Sequence, residues 1–419
     1  MYRYLSVAAL LGLTGCAATV APVAQPVPAP APVLRPAPMP DPQSLLPAPV
    51  VKPVTPAPLV TPVSKPVPLP LQPAYANEQE GSALLDKLLP RGIPARREWH
   101  GDIMTAFTHL KIPYAPQYFC AVLAVAEQES GFNPDPVVPN LSKIVWGQIE
   151  ERRQKYFIPS LVVDAAMLKK SPNGQTYKER VNALRTKKQM NALFEDMIRE
   201  LPFGQTIFEH KNPIRDGGPM QVSVAFAETQ VRAWPYPYSY TSLRDEVFSL
   251  RGSVYFGTAI LLQYPISYPD MVYRFADYNA GRYASRNAAF QQAVQHLSGQ
   301  KLALDGDIML YSDKMNRVLS GATSDTQRAL NGLAGRLRMS PDEMARDLRQ
   351  EKLAAFSQTE VYKRVFALAD QSGKAAPRQI IPQIVLISPK FTHQLTTEWF
   401  AKRVDGRYEK CMERGGFRP

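Results

Sequence analysis

The chain has 419 residues, 45% of them apolar, so it is long enough to bury one large core or two smaller ones. Its formal net charge at pH 7 is +12, and its 40 prolines are well above the usual share of about 5%. The five histidines lack metal-ligand spacing, and neither a phosphate-binding glycine loop nor a G-x-S-x-G elbow is present. These absences argue against a metal hydrolase or a nucleotide enzyme, and no metal or cofactor is expected.

The N-terminus has the pattern of an export signal. Residues 1–15 contain Arg3 and an apolar stretch from Leu5 to Leu13, which as a helix spans only about half of a bilayer's hydrocarbon core. The small residues before Cys16 resemble a bacterial lipobox, which implies that Cys16 is diacylated and becomes the mature N-terminus. Ala17 stands where an aspartate is linked to inner-membrane retention, so we expect an outer-membrane lipoprotein. Its folded part would lie in the periplasm, with surface exposure left open, and an ordinary secretory signal with an incidental cysteine is the alternative.

Residues 16–76 are predicted to be an unpacked tether. Nineteen prolines fall between Pro22 and Pro73, and proline removes backbone donors and favours extended conformations. A polyproline II segment of this length could reach on the order of 150 Å. The prolines could instead be a recognition ligand for a partner.

The folded region is predicted to span residues 77–419 and to be mainly helical. Residues 118–126 form an apolar helix that should end at Ser130-Gly131, before Pro134. Ser340-Pro341-Asp342-Glu343 has the pattern of a capped helix start. Two more helices are predicted, at residues 247–262 and 283–297. Residues 379–388 are predicted to form a short strand or two.

The cysteines and the basic charge fit an exported protein. If Cys16 carries lipid, Cys120 and Cys411 remain as a pair in an oxidising compartment, which favours a disulfide over two separately buried thiols. The tightest basic cluster, residues 185–188, is interpreted as a solvated helix face. The overall positive charge favours acidic envelope partners, and nucleic acid is not expected there.

Glu129 is the carboxylate with the clearest chemical context. It follows the apolar helix, where partial loss of solvent favours its neutral form and could make it a general acid. Glu127 lies about 200° away around the helix, so the two cannot face each other. A helix-end carboxylate in a salt bridge is the alternative interpretation.

Three short segments carry a family resemblance. Residues 129–134 (Glu-Ser-Gly-Phe-Asn-Pro), 218–222 (Gly-Pro-Met-Gln-Val) and 276–281 (Ala-Asp-Tyr-Asn-Ala-Gly) occur in the order of the signature segments of soluble-type lytic transglycosylases, relatives of goose-type lysozyme. Residues 251–257 resemble the helix leading to the third segment. The region 122–382, with the ending 399–403, also resembles a narrower group of uncharacterised outer-membrane lipoproteins, the YaiW-like proteins.

The resemblance implies a lysozyme-like helical domain that cleaves peptidoglycan glycan strands. Glu129 would protonate the bond between N-acetylmuramic acid and N-acetylglucosamine, then act as base on the muramoyl 6-hydroxyl, giving a 1,6-anhydro product. The implied substrate-binding residues are Ser130, Met220, Gln221, Tyr278 and Asn279, while Gly218 and Gly281 would permit close approach to sugar. Simple core packing of Met220 and a helix C-terminus at Gly281 remain as alternatives.

Several features depart from the family pattern. Pro219 replaces the usual leucine, Asp277 stands where a small or apolar residue is usual, an insertion occupies about 135–216, and a helical extension occupies about 298–419. The insertion could cap the cleft or bind a partner through residues such as Trp146, Tyr156 and Phe157. Two hypotheses follow: a membrane-anchored lytic transglycosylase, or a non-catalytic lipoprotein that binds glycan or peptide in a lysozyme-like cleft.

Overall fold

The computed structural model describes residues 77–200, 212–311, 318–319, 321–371, 375–386 and 395–418. The predicted signal peptide, Cys16 and the proline-rich segment lie outside these residues. The described chain is mainly helical, as the sequence predicts, and divides into two compact units. Residues 134–218 are called the insertion unit here, and residues 77–133 with 219–418 the main unit.

The described residues form the following helices, together with a few two-residue strands. In chain order they are α1 (Glu78–Leu88), α2 (Arg96–Leu110), α3 (Pro116–Ser130), α4 (Leu141–Lys155), α5 (Ser160–Met167), α6 (Tyr177–Asn182), α7 (Lys187–Arg199), α8 (Val224–Ala233), α9 (Leu243–Phe248), α10 (Leu250–Leu262), α11 (Met271–Ala280), α12 (Ala284–Ser298), α13 (Asp325–Gly332), α14 (Ala334–Leu337), α15 (Pro341–Leu348), the 3₁₀ helix Ala354–Gln358, α16 (Glu360–Asp370) and α17 (Thr397–Arg414). The strands are β1 (Asp216–Gly217), β2 (Val222–Ser223), β3 (Val385–Leu386) and β4 (Leu395–Thr396). Among these described helices, none is long and apolar enough to cross a membrane.

The central helix of the main unit is α3. Its residues from Phe119 to Ala126 are all buried, as expected of a helix that is apolar on every side. Pro116 occupies the first turn, where its missing N–H has no intrahelical partner to lose. Gly131 ends the helix with a φ of 59°, which confirms the predicted helix end.

The last helix, α17, covers α3. The two helices pack together, and a disulfide joins Cys120 of α3 to Cys411 of α17 across 291 residues, with Cα atoms 5.5 Å apart. Helix α17 also packs on α11. The C-terminal end of the chain therefore supports two of the helices that carry predicted site residues.

The predicted helix 247–262 is wrong in one respect, because the chain forms two helices there. Ser249 has an extended conformation between α9 and α10, and its hydroxyl accepts a hydrogen bond from Gly252 N at 3.1 Å. A Cβ at position 252 would lie 2.1 Å from the Glu246 carbonyl oxygen. The break therefore depends on a serine cap and on the close backbone approach that Gly252 permits.

The C-terminal part of the main unit forms a second core around α12. Phe290 stacks against Tyr362 at 5.8 Å and contacts Phe356 and Phe366 edge-on. Ser340 and Glu343 form the predicted capping box at the start of α15. The predicted strand region contains β3, which pairs antiparallel with β4, with Val385 opposite Thr396.

A buried polar network ties residues 305–311 and 351–353 to α12. The Glu351 carboxylate is fully buried and accepts hydrogen bonds from Ile308 N at 2.5 Å, Met309 N at 3.3 Å and the Tyr311 hydroxyl. Arg286 of α12 donates to the backbone carbonyl of Glu351. Burial raises the pKa of Glu351 to about 7, with a smaller opposing effect from the neighbouring positive charge of Lys352.

This raised pKa predicts that Glu351 makes the protein less stable as the pH rises. The unfolded carboxyl ionises near its usual pKa of 4.5, while the folded one holds its proton to about 7. The contribution of Glu351 to the free energy of unfolding is complete below pH 4.5. On the order of 3 kcal/mol of it is lost as the pH rises to about 7. Urea unfolding at a series of pH values should show a steeper fall for the wild type than for Glu351→Gln. Exposed Glu360→Gln serves as the control, and parallel profiles for wild type and Glu351→Gln would contradict the assignment.

The insertion unit has a core of its own. Helices α4 to α7 surround buried residues that include Leu141, Val145, Val163, Val181 and Leu193. The basic cluster 185–188 lies at the start of α7 rather than along a helix face. The hydroxyl of Thr186 caps that helix within the cluster, and Lys187 is paired with Asp216.

Candidate functional site

Glu129 lies in the last turn of α3 and is half-buried. The turn that follows it is fixed by Phe132, which has a φ of 62° and is buried. The Phe132 carbonyl accepts a hydrogen bond from the Trp99 indole nitrogen at 3.0 Å, and the two rings meet edge-on at 5.4 Å. Main-chain and ring contacts therefore hold the end of α3, and with it the Glu129 backbone, in one position.

The neighbouring Glu127 has a different environment. Its Oε1 lies 3.5 Å from Nε of Arg407, on α17. Ser130, predicted to bind substrate, donates its hydroxyl to the Ala126 carbonyl at 2.9 Å. The hydroxyl proton of Ser130 is therefore hydrogen-bonded within the helix, and only the hydroxyl oxygen remains to accept a hydrogen bond from a ligand.

Tyr278, at the end of α11, connects the predicted segments. Its hydroxyl donates to the Met220 carbonyl at 2.6 Å. Burial, and then the negative charge of Glu129, raise the pKa of Tyr278 well above its usual value. The phenol is therefore neutral at any physiological pH. Glu129, Met220 and Tyr278, each from a different signature segment, lie in one place.

Met220 lies inside the core, which favours the packing interpretation. Its side chain is fully buried, and a Cβ on Gly257 of α10 would lie 2.7 Å from its sulfur. Its backbone nitrogen donates to the Ser253 hydroxyl at 2.9 Å. In this structure Met220 contributes its carbonyl, which positions Tyr278, whereas its side chain is inaccessible to a ligand.

Gln221 has a backbone conformation that L-residues rarely adopt. Its φ is 50°, and the residue is half-buried. Such conformations cost on the order of 1–2 kcal/mol and occur often at ligand-contacting positions. Gly218, the last residue of the insertion unit, also has a positive φ, of 70°.

Asn279 is bonded to a residue that the sequence pattern did not include. Its side-chain carbonyl accepts a hydrogen bond from the Thr397 hydroxyl at 2.8 Å. Thr397 is fully buried at the start of α17. This bond occupies the carbonyl of Asn279 and not its amide nitrogen, which is the group that could donate to a ligand.

Asp277 is a structural residue that connects two helices. The buried carboxylate accepts hydrogen bonds from the backbone nitrogens of Tyr283 at 3.0 Å and Ser285 at 2.7 Å. It also accepts from the hydroxyls of Tyr264 and Tyr268. Asp277 thereby joins the end of α11 to the start of α12, across Gly281, whose φ of 109° ends α11. The helix C-terminus interpretation of Gly281 agrees with this geometry.

Asp277→Asn is expected to lower the free energy of unfolding by about 1–3 kcal/mol. The amide keeps one acceptor oxygen but turns an NH₂ group toward buried donors. Urea unfolding measures the change, and Asp270→Asn is a matched control because Asp270 is exposed and makes no side-chain cap bond to α11. Equal midpoints for both variants would contradict this role of Asp277.

The sequence pattern did not indicate Asp102, a carboxylate that lies beside the aromatic segment 234–240 of the main unit. Asp102 of α2 lies 3.3 Å from the Tyr238 hydroxyl, and burial raises the pKa of Asp102 to about 6. Arg251 stacks over the Tyr238 ring at 4.7 Å and pairs with Glu246 at 2.6 Å. The alternation of aromatic residues with prolines and serine over 234–240 was the signal that could have indicated this cluster.

Each unit contains a cavity lined by described residues. The cavity of the main unit has a volume of about 630 Å³ and is lined in part by Tyr273, Thr396 and Glu398. The cleft of the insertion unit, about 130 Å³, is lined mainly by apolar side chains such as Met167 and Phe194. Within the described ranges, no group of three or more His, Cys, Asp or Glu side chains could hold a metal ion.

Comparison with known proteins gives a family without an assigned activity. The family described as "Protein of unknown function (DUF1615)" matches residues 92–414, which include all the site residues discussed above. The chain is 46% identical over 351 residues to "Uncharacterized protein YaiW" of Escherichia coli (strain K12), covering 84% of this chain and 94% of YaiW. No solved structure matches the chain. The chain therefore belongs to the DUF1615 family of proteins of unknown function.

Proposed function

We propose that the protein is a membrane-anchored lytic transglycosylase that cleaves peptidoglycan strands between N-acetylmuramic acid and N-acetylglucosamine. In this proposal the main unit is a lysozyme-like domain, and lipid on Cys16 holds the protein at the outer membrane. The observation that carries the proposal is the meeting of Glu129, Tyr278 and the Met220 carbonyl, which come from three separate segments of the main unit.

The chemistry requires one carboxyl group that changes role. Protonated Glu129 gives its proton to the glycosidic oxygen, and the bond from that oxygen to the anomeric carbon breaks. The muramoyl 6-hydroxyl oxygen then bonds to the anomeric carbon, and its proton returns to Glu129. Schemes that use two carboxylates place a second one on the sugar's other face, whereas here the internal hydroxyl replaces water as the nucleophile.

The neighbours of Glu129 suit this cycle. Neutral Tyr278 adds no charge beside the carboxyl group, and its bond to the Met220 carbonyl at 2.6 Å fixes its ring. Glu127 contacts Arg407 and stays outside the reaction. Glu129 itself is half-buried at the end of an apolar helix, so its carboxyl group is close to the surface that a glycan strand would reach.

The second candidate is a non-catalytic lipoprotein that binds glycan or peptide in the same cleft. Two contacts favour it: the Ser130 proton and the Asn279 carbonyl are both bonded within the protein. A site with these groups already paired has fewer free groups with which to orient a reacting sugar.

Digestion of purified sacculi, and separately of linear glycan strands, distinguishes the two candidates. The full protein is incubated with each substrate, and the released muropeptides are analysed by mass spectrometry. Products with a 1,6-anhydro end support the transglycosylase. Binding to either substrate without any new product would overturn it in favour of the binding lipoprotein.

A further inference from the structure

The insertion unit presents apolar side chains to solvent at one corner. Phe157 is 92% exposed, Leu161 78% and Leu168 62%. Leu161 lies on α5 and Leu168 directly follows the last residue of that helix. They are seven positions apart, so they lie on the same side, along which Ala165 is also exposed. The opposite side of α5 is buried through Val163 and Met167. Phe157, Leu161 and Leu168 are called the apolar corner below.

The backbone holds Phe157 outward in a defined turn. Its φ is 54°, which is unfavourable for a bulky residue. The turn is closed by hydrogen bonds from Phe157 N to the Gln154 carbonyl at 3.1 Å and from Ile158 N to the Arg153 carbonyl at 2.9 Å. The Arg153 guanidinium also donates to the Ile158 carbonyl at 3.1 Å. The next side chain, Ile158, is buried, so the turn cannot rotate Phe157 inward without exposing Ile158.

Cationic side chains flank the apolar corner. Exposed Lys155 precedes the turn, and exposed Lys169 and Lys170 follow Leu168. Lys169 is paired with Glu200. Asp164 is the acidic residue of α5. Its negative charge helps to raise the pKa of the Arg153 guanidinium, after the larger effect of Glu150. Three exposed lysines thus border the apolar corner, against two acidic groups: exposed Asp164, and Glu200, which pairs with Lys169.

We propose that the apolar corner docks on an anionic lipid surface, with Phe157 and Leu161 entering the boundary between head groups and acyl chains. Aromatic and leucine side chains bordered by lysines are the pattern of interfacial membrane binding. The lysines meet the lipid phosphates as the apolar side chains leave water. This inference goes beyond the enzymatic proposal and does not depend on it.

The size and shape of the corner argue against a protein occupant. Its side chains could bury only a few hundred Å², since a large aromatic buries about 150–250 Å², whereas a standard interface buries about 800 Å² per partner. Phe157 also projects almost fully into solvent, and a fluid bilayer accommodates such a projection without a matching pocket. A second copy of the chain would need a larger contact than this corner offers.

Cosedimentation with lipid vesicles tests the proposal. The full chain carries Cys16→Ser in every sample, so no acyl chain contributes and all variants share one N-terminus. Vesicles contain either phosphatidylcholine alone or phosphatidylcholine with phosphatidylglycerol. We expect Phe157→Ser/Leu161→Ser to reduce partitioning onto the anionic vesicles by about tenfold or more. Binding of the parent chain should also weaken on neutral vesicles and at high salt.

Val137→Ser is the matched control. Val137 is 58% exposed and lies before the start of α4, whereas the apolar corner follows the end of α4. A helix of 15 residues is about 22 Å long, so α4 separates the two positions. Equal partitioning of the parent and the double variant would overturn the proposal. So would a parent chain that sediments as a dimer in ultracentrifugation and becomes monomeric with the double variant, because a second copy would then occupy the corner. Circular dichroism verifies that each variant is folded.

Discussion

Glu129→Gln is expected to lower the release of 1,6-anhydro muropeptides by about 10²–10⁴-fold, the usual contribution of a general acid/base group. Glutamine keeps the shape and the hydrogen-bonding capacity of the side chain but cannot transfer a proton in either direction. Both steps of the proposed cycle use the same carboxyl group, so the loss should appear in turnover rather than in binding to sacculi. Mass spectrometry of the soluble products, together with a sacculus pull-down, measures the two separately.

Glu127→Gln provides a matched control on the same helix. It is the same chemical change two positions earlier, but Glu127 lies beside Arg407 on α17. We expect this variant to keep its activity and to lose at most a little stability, because a partly exposed ion pair contributes about 0–1 kcal/mol. An equal loss of product in both variants would show that the effect comes from general disturbance of α3 and not from Glu129 chemistry.

Replacing both disulfide cysteines with alanine is expected to reduce the free energy of unfolding by about 2–5 kcal/mol. The bond closes a loop of 291 residues, so its loss frees a large part of the unfolded chain. Cys120 and Cys411 are both buried, and the two truncated side chains would add a packing loss at the contact of α3 with α17. Urea unfolding under oxidising conditions measures the difference.

Reductant separates the bond from the packing. Dithiothreitol should shift the unfolding midpoint of the wild type toward that of Cys120→Ala/Cys411→Ala and leave the double variant unchanged. A wild type whose stability does not respond to reductant, even when mass spectrometry shows free thiols, would contradict a stabilising role for the bond.

Local sequence patterns predicted the helices well where the signal lies within one element. The apolar run before Gly131 predicted α3 and its end, and Ser340 with Glu343 predicted the start of α15. The break at Ser249 was missed because an apolar pattern continues across it. The helix is interrupted by the Ser249 cap and by Gly252, which lets its backbone approach the Glu246 carbonyl closely. Neither residue changes the hydrophobic periodicity of the sequence.

The candidate site was only partly predictable. The order of the signature segments indicated Glu129 and Tyr278, and the structure brings Tyr278 within reach of the charge of Glu129. The contact of Asn279 with Thr397 spans 118 residues and has no local signal. Burial of the Met220 side chain likewise depends on Gly257, from another helix. Long-range packing of this kind decides which side chains face a ligand, and a single sequence does not contain it.

The packing of α17 makes the candidate site depend on residues far away in the chain. Thr397 completes the surroundings of Asn279, and α17 covers the helix that carries Glu129. The surroundings of Glu129 and Asn279 are therefore complete only when residues 397–414 are folded against α3 and α11. Partial unfolding that detaches α17 would uncover both helices at once, even though α17 contributes no candidate catalytic residue.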